Sequence, residues 1–235
     1  MRILIKVGIS AIILSIASFV IIQVPSVQDR MMVSVVSGMA NTFGKLHKED
    51  ALSVAVCGSR SPIPSPGRAE TCMLVQAGEE MFVVDIGDGS NANLQNWGID
   101  YSKINAVLLT HLHSDHIADL PNLHQGAWIL QSRKDKLKVF GPEGVANVTQ
   151  GIEIAYGLDY QFRNEHHGDA IAPREYAGFD THTISLNNPV IYQNGDLKIT
   201  AFKVIHEPIE PALGYKFEYK GRLSLIHISE PTRPY

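Results

Sequence analysis

The segment that most constrains this chain reads HLHSDH, from His111 to His116, and it directly follows the apolar run 104–109. An apolar run of this length, bounded by polar residues, predicts a buried β-strand. The segment therefore places three imidazoles and one carboxylate at the end of a strand. Such a concentration of ligating side chains indicates a metal site.

The spacing within this segment divides the ligating side chains into two pairs. In an extended segment, side chains two residues apart point to the same side, so His111 and His113 can hold one metal ion. A turn after them would bring Asp115 and His116 toward a second ion. Imidazole and carboxylate ligands suit zinc, iron or manganese, and a set without thiolate that leaves room for water is typical of catalytic sites. The alternative is a polar helix cap, in which Asp115 caps the next helix and the histidines are solvated.

Strand-like and helix-like segments alternate after residue 50, which predicts an α/β layered domain over residues 51–222. The pattern opens with a β-meander that begins at Leu52 and includes FVVDIGDG. Residues beyond 156 form a long polar stretch that continues to Asn188. The other predicted strands are 104–109, 137–140, 189–192, 197–205 and 214–219, and the predicted helices lie near 90–97, 121–131 and 145–156.

The N-terminus has a different composition from the rest of the chain. Two positive charges lie within residues 1–6, and residues 7–24 carry no charge. A spanning helix needs about 20 apolar residues, so residues 1–28 are expected to form an uncleaved membrane anchor, followed by a tether at 29–50. This arrangement predicts an exported domain on the cell inner membrane. A cleaved signal that releases a periplasmic or secreted domain, and a buried soluble helix, are the alternatives.

At the HLHSDH segment the chain resembles the metallo-β-lactamase superfamily, whose signature is H-x-H-x-D-H at the end of a strand. The stretches GSRSPIPSP, FVVDIGDGS, LLTHLHSDHIADLPNL and LKVFGPEG are most similar to its ribonuclease Z and arylsulfatase-like branch. The resemblance implies an αββα sandwich with two divalent metal ions, zinc above all, at one edge. A hydroxide that bridges the two ions would attack an ester-like bond.

The same resemblance assigns the metal ligands. It implies that His111 and His113 bind the first ion, together with His206 at the end of a later strand. It assigns Asp115 and His116 to the second ion. Asp115 is also the expected catalytic residue, because it would hold the attacking water as well as metal.

Three further residues are candidates for supporting roles. Asp85 lies in a D-x-G-x-G turn, where its carboxylate can orient the ligand loop, although a carboxylate that satisfies an ordinary turn fits as well. His166 and His167, in EHHGD, are candidates for a substrate pocket or for ordering a loop. They are also rivals of His206 as ligands, and ordinary loop histidines are an equal alternative.

The last residues depart from the family pattern. After GYKFEYKGR the family continues to an S-G-D-T-like turn, whose aspartate bridges both metals, and to a final histidine. Here the chain reads LSLIHISEPTRPY, which resembles the translation of a transposase adaptor used in DNA sequencing. Residues 223–235 are therefore expected to be an adaptor-derived artefact. The domain would then be incomplete at its C-terminus, with an incomplete second metal site and poor activity.

The expected function is a metal-dependent hydrolase of a sulfate or phosphate ester. The net charge of −4 does not suggest a general nucleic-acid binder, and the export signal argues against tRNA maturation. The expected partners are thus a small-molecule ester and, through the N-terminus, a membrane, with no nucleic acid. The alternatives are a lactone or β-lactam hydrolase, or a non-catalytic metal-binding fold if the tail is genuine.

The chain has two cysteines, Cys57 and Cys72, on either side of a proline-rich loop. They close one predicted strand and open the next, so an oxidising compartment would favour a disulfide between them. A buried free thiol at Cys72 is the alternative.

Overall fold

The computed structural model describes residues 50–226 and, before them, residues 15, 19, 20, 22–24, 26–28, 30 and 31. Its contacts divide the chain into two units, residues 1–42 and 43–235. The predicted anchor at 1–28, the tether at 29–50 and the tail from residue 227 lie largely or wholly outside the described residues. Among the residues that are described, no helix is long and apolar enough to cross a membrane.

The first sheet has six strands in the order of the chain. Its first three strands pair antiparallel, and the pairs from β3 to β6 are parallel. The strands are β1 (Leu52–Gly58), β2 (Cys72–Ala77), β3 (Glu80–Val84), β4 (Ile104–Leu108), β5 (Leu137–Gly141) and β6 (Phe179–Thr183).

The second sheet has four antiparallel strands in the order β10-β9-β8-β7. Residues 223–226, which the sequence assigns to the tail, extend this sheet as most of its last strand. Leu223 and Leu225 are more than half exposed on it. The strands are β7 (Val190–Asn194), β8 (Leu197–Val204), β9 (Ala212–Tyr219) and β10 (Arg222–Ile226).

Within residues 50–226, the α-helices precede the second sheet. They are α1 (Ser90–Asn96), α2 (Ser114–Ile117), α3 (Leu120–Gln125), α4 (Val145–Ala155) and α5 (Gly157–His167). The helix predicted near 121–131 is instead the short α3, continued by a π-helical turn at Gly126–Leu130. The polar stretch after residue 156 also holds α5 and β6, which the sequence pattern missed.

Two apolar cores lie on the two faces of the first sheet. Side chains alternate along a strand, so Val83 of β3 faces the helices, whereas Phe82 faces the second sheet. The helix-facing core includes Leu123 of α3, and the core between the sheets includes Phe217 of β9. Because β3 and β4 are covered on both faces, they read as continuous apolar runs. The predicted α/β class and the face-to-face packing of two sheets are confirmed.

The predicted disulfide between Cys57 and Cys72 is present. It joins β1 to β2 with a Cα–Cα distance of 5.0 Å, next to the irregularity in their pairing between Val56 and Gly58. Both cysteines are buried, so the bond is part of the helix-facing core. It closes the proline-rich loop, which lies beside the DIGDG turn: Glu70 N–H donates to Asp88 O at 2.9 Å.

We expect the double variant Cys57→Ala/Cys72→Ala to lose about 3 kcal/mol of unfolding free energy, the amount that closure of a 15-residue loop contributes. Urea unfolding of the oxidised protein and of the variant measures the difference. Wild-type protein unfolded under reducing conditions is the matched control and should resemble the variant. Equal midpoints for all three samples would show that the bond does not stabilise the fold.

Candidate metal centre

The HLHSDH segment lies where the two sheets meet. It leaves the end of β4, and the second sheet holds this exit in place because Tyr215 donates its hydroxyl to Leu109 O at 2.6 Å. In the same region, Leu213 N–H donates to Thr110 O at 2.8 Å. Leu112 packs against the helix-facing core, as an extended segment requires. The histidines on either side of it therefore point the other way, toward the second sheet.

Three histidines converge at this point. His111 and His113 come from the exit of β4, and His206 stands two residues beyond the end of β8. One nitrogen from each ring lies within 4.8 Å of the others, and His111 Nε2 is 3.1 Å from His113 Nδ1. His111 is buried, His206 is half-buried and His113 is exposed, so the set opens toward solvent.

The histidine set fits a divalent ion. Two nitrogens that share a tetrahedral zinc ion at about 2.0–2.1 Å are about 3.3 Å apart, close to the His111–His113 separation. Within the described part of the chain, His206 Nε2 is buried and has no hydrogen-bond partner. A buried nitrogen without a partner is costly, and coordination of a cation would satisfy it.

Asp85 connects the ligand turn to the strand before it. This fully buried residue follows β3 and has a positive φ of 56°. Its Oδ1 accepts from Thr110 N–H at 2.8 Å, and its Oδ2 accepts from the Thr110 hydroxyl at 2.8 Å. Oδ2 also lies 2.9 Å from His116 Nδ1. One carboxylate thus holds the backbone and two side chains of the ligand turn.

These hydrogen bonds set the tautomers of two histidines. The Thr110 hydroxyl donates its only proton to Asp85, so the hydroxyl oxygen accepts a hydrogen bond from His111 Nδ1 at 3.1 Å. His116 Nδ1 likewise donates to Asp85. The proton of each ring is therefore on Nδ1, and Nε2 keeps the lone pair that a metal needs.

Burial also keeps the central imidazole neutral. Together with the neighbouring His116, His206 and His113 imidazoles, burial, which is the largest cause, lowers the pKa of His111 to about 3. A neutral ring at neutral pH has its lone pair available for coordination.

Asp115 and His116 form a second pair beside the triad. Both are buried, with Asp115 Oδ2 3.6 Å from His116 Nε2, and the rings of His111 and His116 are 3.9 Å apart. Asp115 Oδ1 has no hydrogen-bond partner in the described part of the chain. The first residue before α2 is His113, without a side-chain cap bond, so the helix-cap alternative for Asp115 does not apply.

The DIGDG turn packs closely against the backbone of Asp115 and His116. Ile86 N–H donates to His116 O at 2.8 Å. A Cβ at Gly87 would overlap the Asp115 carbonyl oxygen. Glycine at this position lets the turn approach the backbone of the ligand segment closely.

The remaining sequence candidates lie elsewhere. His166 and His167 end α5, with rings 4.5 Å apart, and the histidine triad does not include them. Their pocket role stays a prediction. Thr110 was missed from the sequence, although a hydroxyl directly before the first histidine of the motif was the available signal.

Comparison with known proteins identifies relatives over most of the chain. A family model described as a beta-lactamase superfamily domain matches residues 82–230. The ribonuclease Z of Mycobacterium marinum is 32% identical over 177 residues, which cover 74% of this chain and 62% of the relative. That of Mycolicibacterium gilvum is 33% identical over 172 residues, which cover 72% of this chain and 58% of the relative. The chain thus spans about three fifths of the curated relatives it matches.

Solved structures give the same fold. Human tRNase Z, short form, has a TM-score of 0.58 at 20% identity, over 74% of this chain and 68% of that one. The metallo-beta-lactamase fold protein YhfI from Bacillus subtilis has a TM-score of 0.54 at 22% identity, over 75% of this chain and 61% of that one. The helix-facing sheet and the second sheet are therefore those of the metallo-β-lactamase fold.

The relatives correct the expected partners. A small-molecule ester substrate without nucleic acid was predicted, but the relatives are ribonucleases by name, and a ribonuclease acts on nucleic acid. The prediction was wrong because net charge sums over the whole chain and does not report local patches. The argument from export depended on residues 1–24, which lie mostly outside the described residues.

We expect Thr110→Val to weaken divalent-metal affinity by about tenfold or more, the usual effect of losing a partner that orients a ligand. The variant removes the hydroxyl that fixes the His111 tautomer, whereas Thr110→Ser retains it and is the control. Competition with a chromophoric chelator, together with the cobalt absorption spectrum, measures the change. Wild-type metal affinity and an unchanged cobalt spectrum in Thr110→Val would show that the Thr110 hydroxyl does not control metal binding by His111.

We expect the 235-residue chain to bind close to one equivalent of zinc, because three histidines converge on one position, whereas among the described residues the other position has two ligands, Asp115 and His116. His113→Ala should abolish tight binding. His182→Ala, at an exposed histidine paired with Asp180, is the control. Two tightly held ions per chain would contradict this division of the ligands.

Proposed function

Because this chain belongs to the metallo-β-lactamase superfamily, we propose that its protein is a metal-dependent hydrolase that cleaves phosphodiester bonds in RNA. The observation that carries the proposal is the open triad of His111, His113 and His206. Catalytic zinc sites typically use three protein ligands and leave the remaining position to water or substrate. Structural zinc sites are closed and favour cysteine, and both cysteines of this chain are engaged in the disulfide.

A divalent ion held by the triad would polarise a phosphoryl oxygen and acidify a bound water. The side chains of the protein orient the metal ligands. Asp85 and Thr110 hold His111 and His116 in the orientation and tautomer that keep the proton on Nδ1 and the lone pair on Nε2. Rings fixed in this way do not have to reorganise when the substrate binds.

Asp115 is the residue to which we assign proton handling. Its carboxylate is buried beside His116, and Oδ1 has no hydrogen-bond partner in the described part of the chain. This oxygen is the natural acceptor for a proton of the attacking water. A general base must lie within hydrogen-bond reach of that proton, and the position of Asp115 in the same turn as the ligands favours it.

RNA is favoured over the other esters by the relatives. The two ribonucleases Z that are 32% and 33% identical match about three quarters of this chain, a span long enough to include the ligand segment. They support a phosphodiester substrate rather than a sulfate ester. No observation on this chain favours a lactone or a β-lactam.

The test is incubation of the zinc-loaded protein with a labelled tRNA transcript and with an unstructured RNA of equal length. We expect the tRNA to be cleaved and the ends to show phosphodiester hydrolysis. Asp115→Asn should fold normally and lose turnover by at least about 100-fold, the usual contribution of a general base. His182→Ala should match the wild type.

Two results would count against the proposal. One is intact RNA in the presence of protein that carries its metal and hydrolyses a sulfate ester or a β-lactam. The other is full turnover by Asp115→Asn, which would leave RNA cleavage possible but would remove Asp115 from the mechanism.

A further inference from the structure

A cleft outside the metal centre carries its own set of charged side chains. It has a volume of about 540 Å³ and lies between the turn before β5 and the segment that links α5 to β6. We call it the Lys134–Arg174 cleft. Its lining residues are Lys134, Asp169, Pro173, Arg174, Glu175 and Tyr176.

The carboxylates in and around this cleft are already engaged. Asp169 accepts from the side-chain amide of Asn164 at 2.7 Å. Glu175 accepts from the hydroxyl of its neighbour Tyr176, which raises the pKa of that tyrosine. Asp135, next to the lining lysine, lies 3.0 Å from the Arg133 guanidinium.

The two cations of the cleft have no such partner. Lys134 and Arg174 are exposed, and neither pairs with a carboxylate within the described part of the chain. The Arg174 guanidinium lies 5.7 Å from the centroid of the Tyr160 ring, and among residues 50–226 it makes one long hydrogen bond, 3.5 Å to Gly157 O. Asp169 and Glu175 keep their negative charges, since their hydrogen bonds come from neutral groups. Neither carboxylate forms an ion pair with Lys134 or Arg174 within the described residues, so both cations can donate to a phosphate group.

Both walls of the cleft are anchored by buried side chains. On one side, Arg133 is buried and donates to Ile104 O at 2.5 Å, which fixes the turn that carries Lys134. On the other side, the buried Trp128 indole donates to Pro173 O at 2.9 Å. The cleft is therefore already formed in the free protein. Binding of a ligand would cost little entropy for ordering its walls.

We propose that the Lys134–Arg174 cleft binds a phosphate group of an RNA strand and that the half-exposed ring of Tyr176 stacks on an adjacent base. Lysine and arginine provide the phosphate contacts that position a protein on nucleic acid. Aromatic rings beside such contacts are the usual platform for unpaired bases. The proposal rests on the proposed function, since it gives the RNA substrate a contact away from the triad.

The test is the fluorescence anisotropy of a labelled single-stranded RNA, titrated with the full chain without added metal at several salt concentrations. We expect Lys134→Glu to weaken binding by about tenfold and to reduce the slope of log affinity against log salt by about 1. Lys134→Arg should retain wild-type binding. Lys103→Glu makes the same charge change at an exposed lysine paired with Asp100, and it should change binding little.

The tyrosine gives a second, independent set of variants. Tyr176→Leu should weaken binding about fivefold or more, whereas Tyr176→Phe, which keeps the ring, should not. Because Lys134 is exposed, thermal unfolding of Lys134→Glu should match the wild type. The Tyr176 ring is half-buried against the cluster that includes Trp128, so RNA binding is compared only between Tyr176 variants whose thermal unfolding shows that they are folded. An excess of a free mononucleotide should displace little RNA, since a strand makes contacts beyond one phosphate.

The outcomes separate this inference from the proposed function. If the wild type, Lys134→Glu and Lys103→Glu bind RNA with equal affinity, the cleft assignment is wrong. The proposed RNA cleavage at the metal centre would not be affected by that result. Wild-type protein that does not bind RNA would overturn the cleft assignment too, as would full displacement by an equal concentration of mononucleotide. Binding that depends on Lys134 and Tyr176 would support the cleft even if the metal-loaded protein fails to cleave RNA.

Discussion

The hydrogen bonds of Asp85 are the constraint on which the rest of the metal centre depends. This carboxylate, fully buried after β3, accepts from the backbone and hydroxyl of Thr110 and from His116 Nδ1. A buried charge is tolerated only when it is paired and hydrogen-bonded, and here the pairing also determines which nitrogen of each ring carries the proton. Without it, His111 and His116 would lose their fixed tautomers, and the carboxylate itself would lose its partners.

The two sheets make this arrangement rigid. The strands β3 and β4 are buried on both faces, between the helices and the second sheet, so the turns that follow them start from fixed positions. Tyr215 of the second sheet then bonds to the exit of β4, and β8 delivers His206 to the same place. A site built on strand ends in this way is more precise than one built on free loops.

The sequence predicted the parts of this account that depend on local pattern. The HLHSDH segment is local, and the apolar runs of β3 and β4 are long enough to read directly, so the ligand turn, the α/β class and helix α4 were all found. Helix α5 was missed because Tyr160 is its only buried residue, which leaves no apolar stripe to detect. The Lys134–Arg174 cleft was missed for a different reason: its cations are far apart in the sequence, and only the fold brings them together. The expectation of no nucleic-acid partner was wrong because the net charge of −4 sums over the whole chain and does not report local patches.

The central claim is that three imidazole nitrogens of this chain hold a divalent ion in an open, hydrolytic geometry. X-ray absorption spectroscopy of the zinc-loaded protein tests it most directly, because the method counts the ligands and measures their distances. We expect about three nitrogen ligands at about 2.0–2.1 Å with an imidazole scattering signature, plus a smaller contribution from water or carboxylate oxygen. Thiolate sulfur in the shell, or a shell of oxygen atoms without imidazole scattering, would contradict it.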